Sequence, residues 1–300
     1  MVIAIANPIG AAISQLLAPA FSTVHESILN LAIITSSVVP TAILITSKPP
    51  VPVSNAGSHP SPSAAQVLRA FFGRARPGES FVSSRERIDM VIITILFGSF
   101  VGAFTAFSIL ISQIFTPYGY SSDEAGIMGA VLLLAGIIGA AITSPIIDRY
   151  FVHRTALAAK ILIPLLATSY IALIWGVRAD NYAGIYILMV VIGVASFTLL
   201  PIALELGCEV TRSAEISSTI MWFAGNLLSV VFVLSMNALK DDSPSASPPS
   251  NMFNSLIFQA CFVGVASISV FSLKAQRTRQ ELDNQEYTCP VGYEGERGSE

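Results

Sequence analysis

Eight long runs of uncharged, apolar residues determine what this chain of 300 residues can fold into. An α-helix needs about 20 apolar residues to cross the hydrocarbon core of a bilayer, and each run approaches or exceeds that length. The runs cover residues 2–21, 28–47, 91–114, 125–147, 156–177, 183–204, 216–239 and 252–273. The pattern therefore predicts an all-α integral membrane protein with about eight transmembrane helices.

The composition agrees with this class and argues against several others. Charged residues make up 12% of the chain and hydrophobic residues 53%, whereas a soluble domain carries about 25% charged residues. A net charge of −3 without a basic stripe excludes a nucleic-acid partner. The three cysteines are scattered and His25, His59 and His153 lie outside the runs, which predicts neither a metal site nor a cofactor. No nucleophile motif or phosphate-binding glycine loop indicates an enzyme.

The distribution of basic residues predicts the orientation. Lys and Arg accumulate in cytoplasmic loops, and alternate connections between spans share a side of the membrane. All of the 16 basic residues except Arg178 and Lys240 fall in one set of connections. Both termini and the long polar loop at 48–87 are therefore predicted to be cytoplasmic.

Small residues and prolines predict how the spans pack. Gly98 and Gly102 repeat at four-residue spacing in the third run, and Gly136 and Gly139 lie in the fourth. Such residues let helices approach closely in a membrane, so each run is expected to have a close helix neighbour. Pro201 in the sixth run is a candidate position for a bend.

The connection between the fourth and fifth runs carries the sharpest local charge pattern. Asp148, Arg149 and Arg154 lie in this connection, on the predicted cytoplasmic side. The two arginines can compensate the carboxylate of Asp148, which lies at a helix C-terminus. Two interpretations remain open, a positively charged topology anchor and a gate that stabilises one state of a transport cycle.

Two further carboxylates lie at the end of the sixth run. Glu205 and Glu209 are one helical turn apart and share a face, and the arginines above lie on the same side of the membrane. A charge network that closes the cytoplasmic gate is the preferred interpretation, with a proton or substrate site as the alternative.

These segments resemble the major facilitator superfamily, and within it the family of the feline leukaemia virus subgroup C receptor. The resemblance rests on Asn7-Pro8-Ile9-Gly10, on Leu16-Leu17-Ala18-Pro19, on the Asp148 loop, on residues 201–211 and on Gly225-Asn226-Leu227. That family includes heme, choline, ethanolamine and lysosomal pyridoxine carriers. The resemblance implies that the eight runs are helices five to twelve of a twelve-helix plan, in a plasma membrane or a vacuolar or lysosomal membrane.

The same plan implies a division of the chain. Residues 1–47 would be the last two helices of the N-terminal half and 48–87 the cytoplasmic central loop. Residues 88–274 would form a complete six-helix C-terminal half, followed by a cytoplasmic tail at 275–300.

The resemblance also implies substrate-binding candidates. Asn7, Thr105, Trp222 and Asn226 match or neighbour positions that bind substrate in the family. The choline carriers of the family have glutamine at the position of Pro8, tyrosine at that of Thr105 and glutamine at that of Asn226, so the resemblance does not predict choline itself. From the residues alone, the partner of Asn226 is either a neighbouring helix or a ligand.

Two functions follow as expectations. The first is a secondary transporter of a small organic solute by alternating access, incomplete or inactive in this chain because helices one to four of the plan are missing. The second is a truncated membrane protein that does not transport, in which a partner chain covers the open face of the half-cavity. The lipid bilayer and a small solute are the remaining predicted partners.

Overall fold

A computed structural model describes residues 23–40, 84–150, 155–211, 214–243 and 246–273, with isolated positions at 10, 12–14, 17, 21, 66 and 69. The described part is built of helices. They are α1 (Val24–Val38), α2 (Ser84–Phe115), α3 (Ser122–Tyr150), α4 (Thr155–Gly176), α5 (Tyr182–Thr211), α6 (Ala214–Ala238) and α7 (Phe253–Ile268). Short 3-10 turns follow α2 at Thr116–Tyr118 and α7 at Ser269–Ser272.

Six of these helices, α2 to α7, are long and apolar enough to cross a membrane. They coincide with the last six apolar runs, which confirms an all-α membrane protein of the predicted type. The helix α1 covers part of the second run, and most of the first run lies outside the described residues.

Two helices extend beyond the apolar runs that predicted them. The helix α2 begins at Ser84, seven residues before the apolar run at 91–114. The helix α5 continues to Thr211 and includes both Glu205 and Glu209. An apolar run ends at its first charged residue, whereas the helix can continue into the headgroup region, where charged side chains reach water.

Four of the six spans form two parallel pairs, α2 with α6 and α3 with α5. The helix α5 also contacts α2, α4 and α6, and α4 packs between α5 and α7. Because six spans return the chain to the side on which it began, the start of α2 and the end of α7 lie at the same end of the bundle.

The predicted small-residue contacts are confirmed in both pairs. A Cβ added to Gly98 or Gly102 on α2 would lie 3.0 Å from an atom of Leu228 on α6. In the second pair, a Cβ at Gly193 on α5 would lie 2.1 Å from the carbonyl oxygen of Leu132 on α3, and one at Gly136 would lie 2.0 Å from the ring of Phe197. Glycine therefore permits a backbone approach that any side chain would prevent.

Tyr120 lies in the turn between α2 and α3, at the end of the bundle opposite to Ser84, and stabilises this end. Its hydroxyl donates to the carbonyl of Arg178 at 2.7 Å and accepts from the backbone N–H of Asn181 at 3.0 Å. Burial raises the pKa of Tyr120, although the N–H of Asn181 acts in the opposite direction. Gly119 makes the turn possible with a left-handed φ of 94°. One buried ring therefore joins the α2–α3 turn to the α4–α5 turn.

Candidate functional site

Two of the predicted substrate-binding residues lie at the middle of α6. The ring of Trp222 packs edge-on against Phe97 of α2, with ring centroids 5.4 Å apart and an interplanar angle of 84°. Asn226 follows one turn later, with an exposed side chain. Its Nδ2 donates to the backbone carbonyl of Trp222 at 2.8 Å. This hydrogen bond is therefore made within α6 itself, whereas the sequence suggested a neighbouring helix or a ligand as the partner of Asn226.

The surroundings of Asn226 are apolar and exposed. Phe223, Leu227 and Val230 on the same stretch of α6 are 71%, 54% and 56% exposed. An amide that faced hydrocarbon at this depth would lose its hydrogen bonds to water, at a cost of several kcal/mol per unsatisfied group. This face of α6 is therefore suited to a water-filled cavity or to contact with another protein surface.

Thr105 lies nearby on α2, half-buried. Gly98 and Gly102 set the register of α2 against Ala224 and Leu228 of α6, so Asn226 is level with this glycine pair. Thr105 is three residues beyond Gly102, about 5 Å further toward the end of the bundle that contains Tyr120, at 1.5 Å per residue. The fourth candidate, Asn7, lies outside the described residues.

An aromatic pair beside Thr105 was not predicted from the sequence. Phe104 on α2 meets Phe197 on α5 edge-on, with ring centroids 5.5 Å apart, and both rings are half-buried. Single phenylalanines in apolar runs give no signal of their own, because only the packing of α2 against α5 brings these two together.

A hydroxyl pair fixes the register of α3 and α5. The Oγ1 atoms of Thr143 and Thr198 are 2.7 Å apart, and Thr143 also donates to its own helix at the carbonyl of Gly139. Arg149 lies six residues beyond Thr143, and Glu205 seven beyond Thr198. At 1.5 Å per residue these are axial distances of about 9 and 10 Å in the same direction. The two side chains are thus at nearly equal depth, at the end of the bundle that contains Ser84, and both are exposed.

The structure describes only some of the remaining residues of the predicted charge network. Glu209 is half-buried, and its Oε2 is buried without a hydrogen-bond partner in the described part of the chain. Arg154 and the side chain of Asp148 lie outside the described residues. Glu205 and Glu209 belong to one helix face, so the geometry supports an acidic patch at the depth of Arg149.

Two buried polar residues were missed by sequence reasoning. Gln259 on α7 is 1% exposed, and its Nε2 donates to the carbonyl of Ala103 on α2 at 2.8 Å. Asp89 on α2 is 3% exposed and lies 3.1 Å from Arg85, which also donates to the carbonyl of Ser272. Gln259 is a polar residue inside the run at 252–273, which was an available signal, whereas Asp89 lies just before the run at 91–114 and gave no such signal. The Gln259 bond and the Arg85 bond to Ser272 together tie α2 to α7 and to the turn that follows it.

The described residues bring together no group of three or more His, Cys, Asp or Glu side chains that could hold a metal ion. No protein-family model matches the chain.

Several curated proteins are similar to the chain. Solute carrier family 49 member A3 of Danio rerio is 25% identical, over 97% of this chain and 62% of its own length. The choline/ethanolamine transporter FLVCR2 of Homo sapiens is 24% identical over 75% of this chain and 42% of its own length. The choline/ethanolamine transporter FLVCR1 of Mus musculus is 28% identical over 69% of this chain and 36% of its own length. The chain thus spans about a third to three fifths of the length of these relatives.

Proposed function

We propose that this chain, a homologue of the solute carrier family 49 and FLVCR transporters with the all-α fold of the major facilitator superfamily, carries a small organic solute across a membrane by alternating access. The observation that carries the proposal is Asn226, a polar side chain exposed at mid-membrane depth on an apolar face of α6. In a transporter such a face lines the central, water-filled pathway between the two halves.

The site we propose lies along α2 and α6. Asn226 offers an amide to a polar solute, while the rings of Trp222 and Phe97 offer apolar contact one turn toward the cytoplasm. Thr105 and the Phe104–Phe197 pair lie on the outer side of Asn226. This combination suits a small molecule with both apolar and hydrogen-bonding groups. In the twelve-helix plan, the 1–47 segment contributes part of the opposite wall, with Asn7 as its candidate.

Transport tests this directly. The full chain is reconstituted into proteoliposomes, and uptake of labelled choline, ethanolamine, heme and pyridoxine is measured. Asn226→Leu is compared with Asn237→Leu, which makes the same replacement at an exposed position near the outer end of α6. Losing one hydrogen bond to the solute, about 1 kcal/mol, should lower the uptake rate of Asn226→Leu about fivefold. Equal uptake by the two variants would remove Asn226 from the pathway.

The second part of the proposal is a charge network at the cytoplasmic gate. Its support is the matched depth of Arg149 and Glu205, set by the Thr143–Thr198 contact, and the position of Glu209 one turn further along α5. We assign Asp148 and Arg154 to the same network from their place in the sequence. Glu205→Gln should change the uptake rate without changing the amount of protein in the membrane. Unchanged uptake and expression would remove Glu205 from both the gate and the solute site.

The alternative is a membrane protein that does not transport and whose exposed faces bind a partner chain. The exposure of Asn226 on an apolar face of α6 favours it as well, because another protein surface could cover this amide. On α1, Ile28, Leu31 and Ile33 are each about 60% exposed, and α1 lacks extensive contact with the other described helices. Purification in a mild detergent after cross-linking separates the two functions. A stoichiometric second polypeptide together with absent uptake of every solute would favour the partner-binding protein.

We further propose the orientation with both termini in the cytoplasm, in a plasma membrane or a vacuolar or lysosomal membrane. It is supported by the basic residues at one set of connections, with Arg178 and Lys240 at the other. Labelling of single introduced cysteines with an impermeant maleimide at 178 and at 274 tests it. Reaction at 274 from the outside of sealed cells would contradict this orientation.

A further inference from the structure

Two polar atoms in the interior of the bundle have no hydrogen-bond partner in the described part of the chain. One is the hydroxyl oxygen of Tyr170 on α4, and the other is Oε1 of Gln259 on α7. Each of the two residues is 1% exposed. A buried polar atom without a partner costs free energy, so both atoms indicate a binding partner in the interior besides the protein groups described.

The depth of Gln259 follows from its contact with α2. Its Nε2 donates to the carbonyl of Ala103, which lies 12 residues, or about 18 Å, before the end of α2 at Phe115. A helical carbonyl is directed toward the C-terminus of its helix, so the amide of Gln259 lies nearer to Phe115 than the Cα of Ala103 does. We place this amide about 15 Å from the end of the bundle that contains Tyr120.

Tyr170 reaches the same depth from α4. The Tyr120 hydroxyl donates to the carbonyl of Arg178, and the Tyr120 ring contacts Phe115, so Arg178 marks the same end of the bundle. Tyr170 lies eight residues, or about 12 Å, before Arg178. Its ring is directed back along α4, away from that end, as long side chains on helices are. The hydroxyl therefore also lies about 15 Å from this end, and α4 packs directly against α7.

The buried faces of α4 and α7 direct both side chains into one interior. Ile163, Leu166 and Leu173, which share a face of α4 with Tyr170, are each at most 4% exposed. Gln259 lies on the face of α7 that meets α2. The Tyr170 hydroxyl and the Gln259 oxygen therefore face the space enclosed by α2, α4 and α7.

The chemistry of these two atoms matches a neutral ligand. The Tyr170 hydroxyl can donate a hydrogen bond, whereas Oε1 of Gln259 only accepts. The helix α7 has no charged residue, and the last one on α2 is Asp89, near its start. Along α4 the nearest charges are Lys160 and Arg178, each more than two turns from Tyr170. A cation bound here would lack a compensating carboxylate.

We propose that a single water molecule is bound between Tyr170 and Gln259 in the interior of the six-helix unit. The water accepts from the Tyr170 hydroxyl and donates to Oε1 of Gln259, which satisfies both atoms and gives the water the two polar partners that a buried water needs. Together with the bond from Gln259 to Ala103, this water connects α4, α7 and α2. The site does not depend on transport, because none of its residues belongs to the proposed solute pathway or gate.

The sign of the stability change in Tyr170→Phe tests the site. If water binds the hydroxyl, its removal loses a hydrogen bond and lowers the unfolding temperature. If the hydroxyl is dry and unpartnered, its removal raises the unfolding temperature. We expect a lower value, with Tyr118→Phe as the control that leaves the unfolding temperature unchanged. A higher or unchanged unfolding temperature for Tyr170→Phe would overturn the proposal.

A second pair of variants tests whether the two residues share the water. Gln259→Met keeps the length of the side chain and removes its polar atoms. Tyr170→Phe should lower the unfolding temperature less in the Gln259→Met protein than in the parent. In Gln113→Met, which changes an exposed glutamine on α2, Tyr170→Phe should keep its full effect. Equal effects of Tyr170→Phe in both backgrounds would refute a shared water.

Radiolytic labelling detects the water itself. The full chain in nanodiscs is equilibrated with oxygen-18 water and exposed to an X-ray pulse, which converts bound water to hydroxyl radicals that label adjacent side chains. Mass spectrometry should find oxygen-18 on Tyr170 in the parent, and less of it in Gln259→Met. Met128, which is 0% exposed on α3, serves as a buried control and should stay unlabelled. Absence of the label from Tyr170 in the parent would rule out the water site.

Discussion

The close approach of α3 and α5 at Gly193 gives the most stringent test of the fold. Gly193→Ala places a Cβ 2.1 Å from the carbonyl oxygen of Leu132 and 3.2 Å from the backbone nitrogen of Gly136. These atoms belong to the backbone of a neighbouring helix and cannot turn aside as a flexible side chain could. The two helices must therefore separate by about 1 Å before the contact reaches an ordinary van der Waals distance.

The magnitude follows from two opposing terms. Replacing glycine by alanine within a helix stabilises it by about 1 kcal/mol, while overpacking of this kind costs about 1–3 kcal/mol. Because the clash involves backbone and also disturbs the Thr143–Thr198 hydrogen bond five residues further along α5, we expect the upper end of that cost. The net destabilisation of Gly193→Ala is then about 1–2 kcal/mol.

The chain provides a matched control in Gly264. A Cβ added there meets nothing within 4 Å, so Gly264→Ala gains the same helix propensity without the clash. Both variants are purified in one detergent, and their unfolding temperatures are measured by fluorescence. A difference of about 2–3 kcal/mol should place Gly193→Ala several degrees below Gly264→Ala. If the two variants unfold at the same temperature, the close pairing of α3 with α5 is wrong.

Two further predictions concern the turns at the end of the bundle that contains Tyr120. Tyr120→Phe removes the hydrogen bonds to Arg178 and Asn181, each worth about 1 kcal/mol. This variant should unfold at a lower temperature than Tyr118→Phe, because the Tyr118 hydroxyl makes no hydrogen bond among the described residues. Equal unfolding temperatures would contradict the role of Tyr120 in joining the two turns. The Ser243 hydroxyl, 2.6 Å from Asp241, and the Ser243 backbone N–H hold the pKa of Asp241 below its usual value. A depressed carboxyl pKa stabilises the folded turn above the unfolded pKa, near 4, and this stabilisation is lost as the pH falls through the folded value. Ser243→Ala should raise the pKa of Asp241 in an NMR titration of labelled aspartate, and an unchanged pKa would show that the hydroxyl does not act on it.

The sequence was sufficient for the number and type of the six described spans, because helix length and the absence of charge are local properties. It also located close contacts at Gly98, Gly102, Gly136 and Gly139, since glycine in a span indicates a near neighbour. It could not say which helix that neighbour is. The pairs α2–α6 and α3–α5 depend on how six helices share a common core, and no local pattern contains that information.

The sequence likewise indicated only some features of the candidate site. Trp222 and Asn226 were singled out by the resemblance, and Asn226 also because a polar residue in the middle of a span is unusual. The bond from Asn226 to the carbonyl of Trp222 was not anticipated, although a side chain bonding four residues back along a helix is a local possibility. Gln259 is equally polar and equally central in its run. Its contact with Ala103 joins positions 156 residues apart, and only the folded chain reveals it.

The proline within α5 allows this helix to bend at the level of the Phe104–Phe197 pair. Pro201 has no N–H, so the carbonyl of Phe197, four residues earlier, lacks the donor that a regular helix would supply. The helix α5 can therefore bend at this level without breaking another backbone hydrogen bond. The first half of α5 follows the turn held by Tyr120, and the second half carries Glu205 and Glu209. A tilt between these halves would pivot at the aromatic pair, and the uncommitted carbonyl of Phe197 would offer a hydrogen-bond acceptor to water at the centre of the membrane.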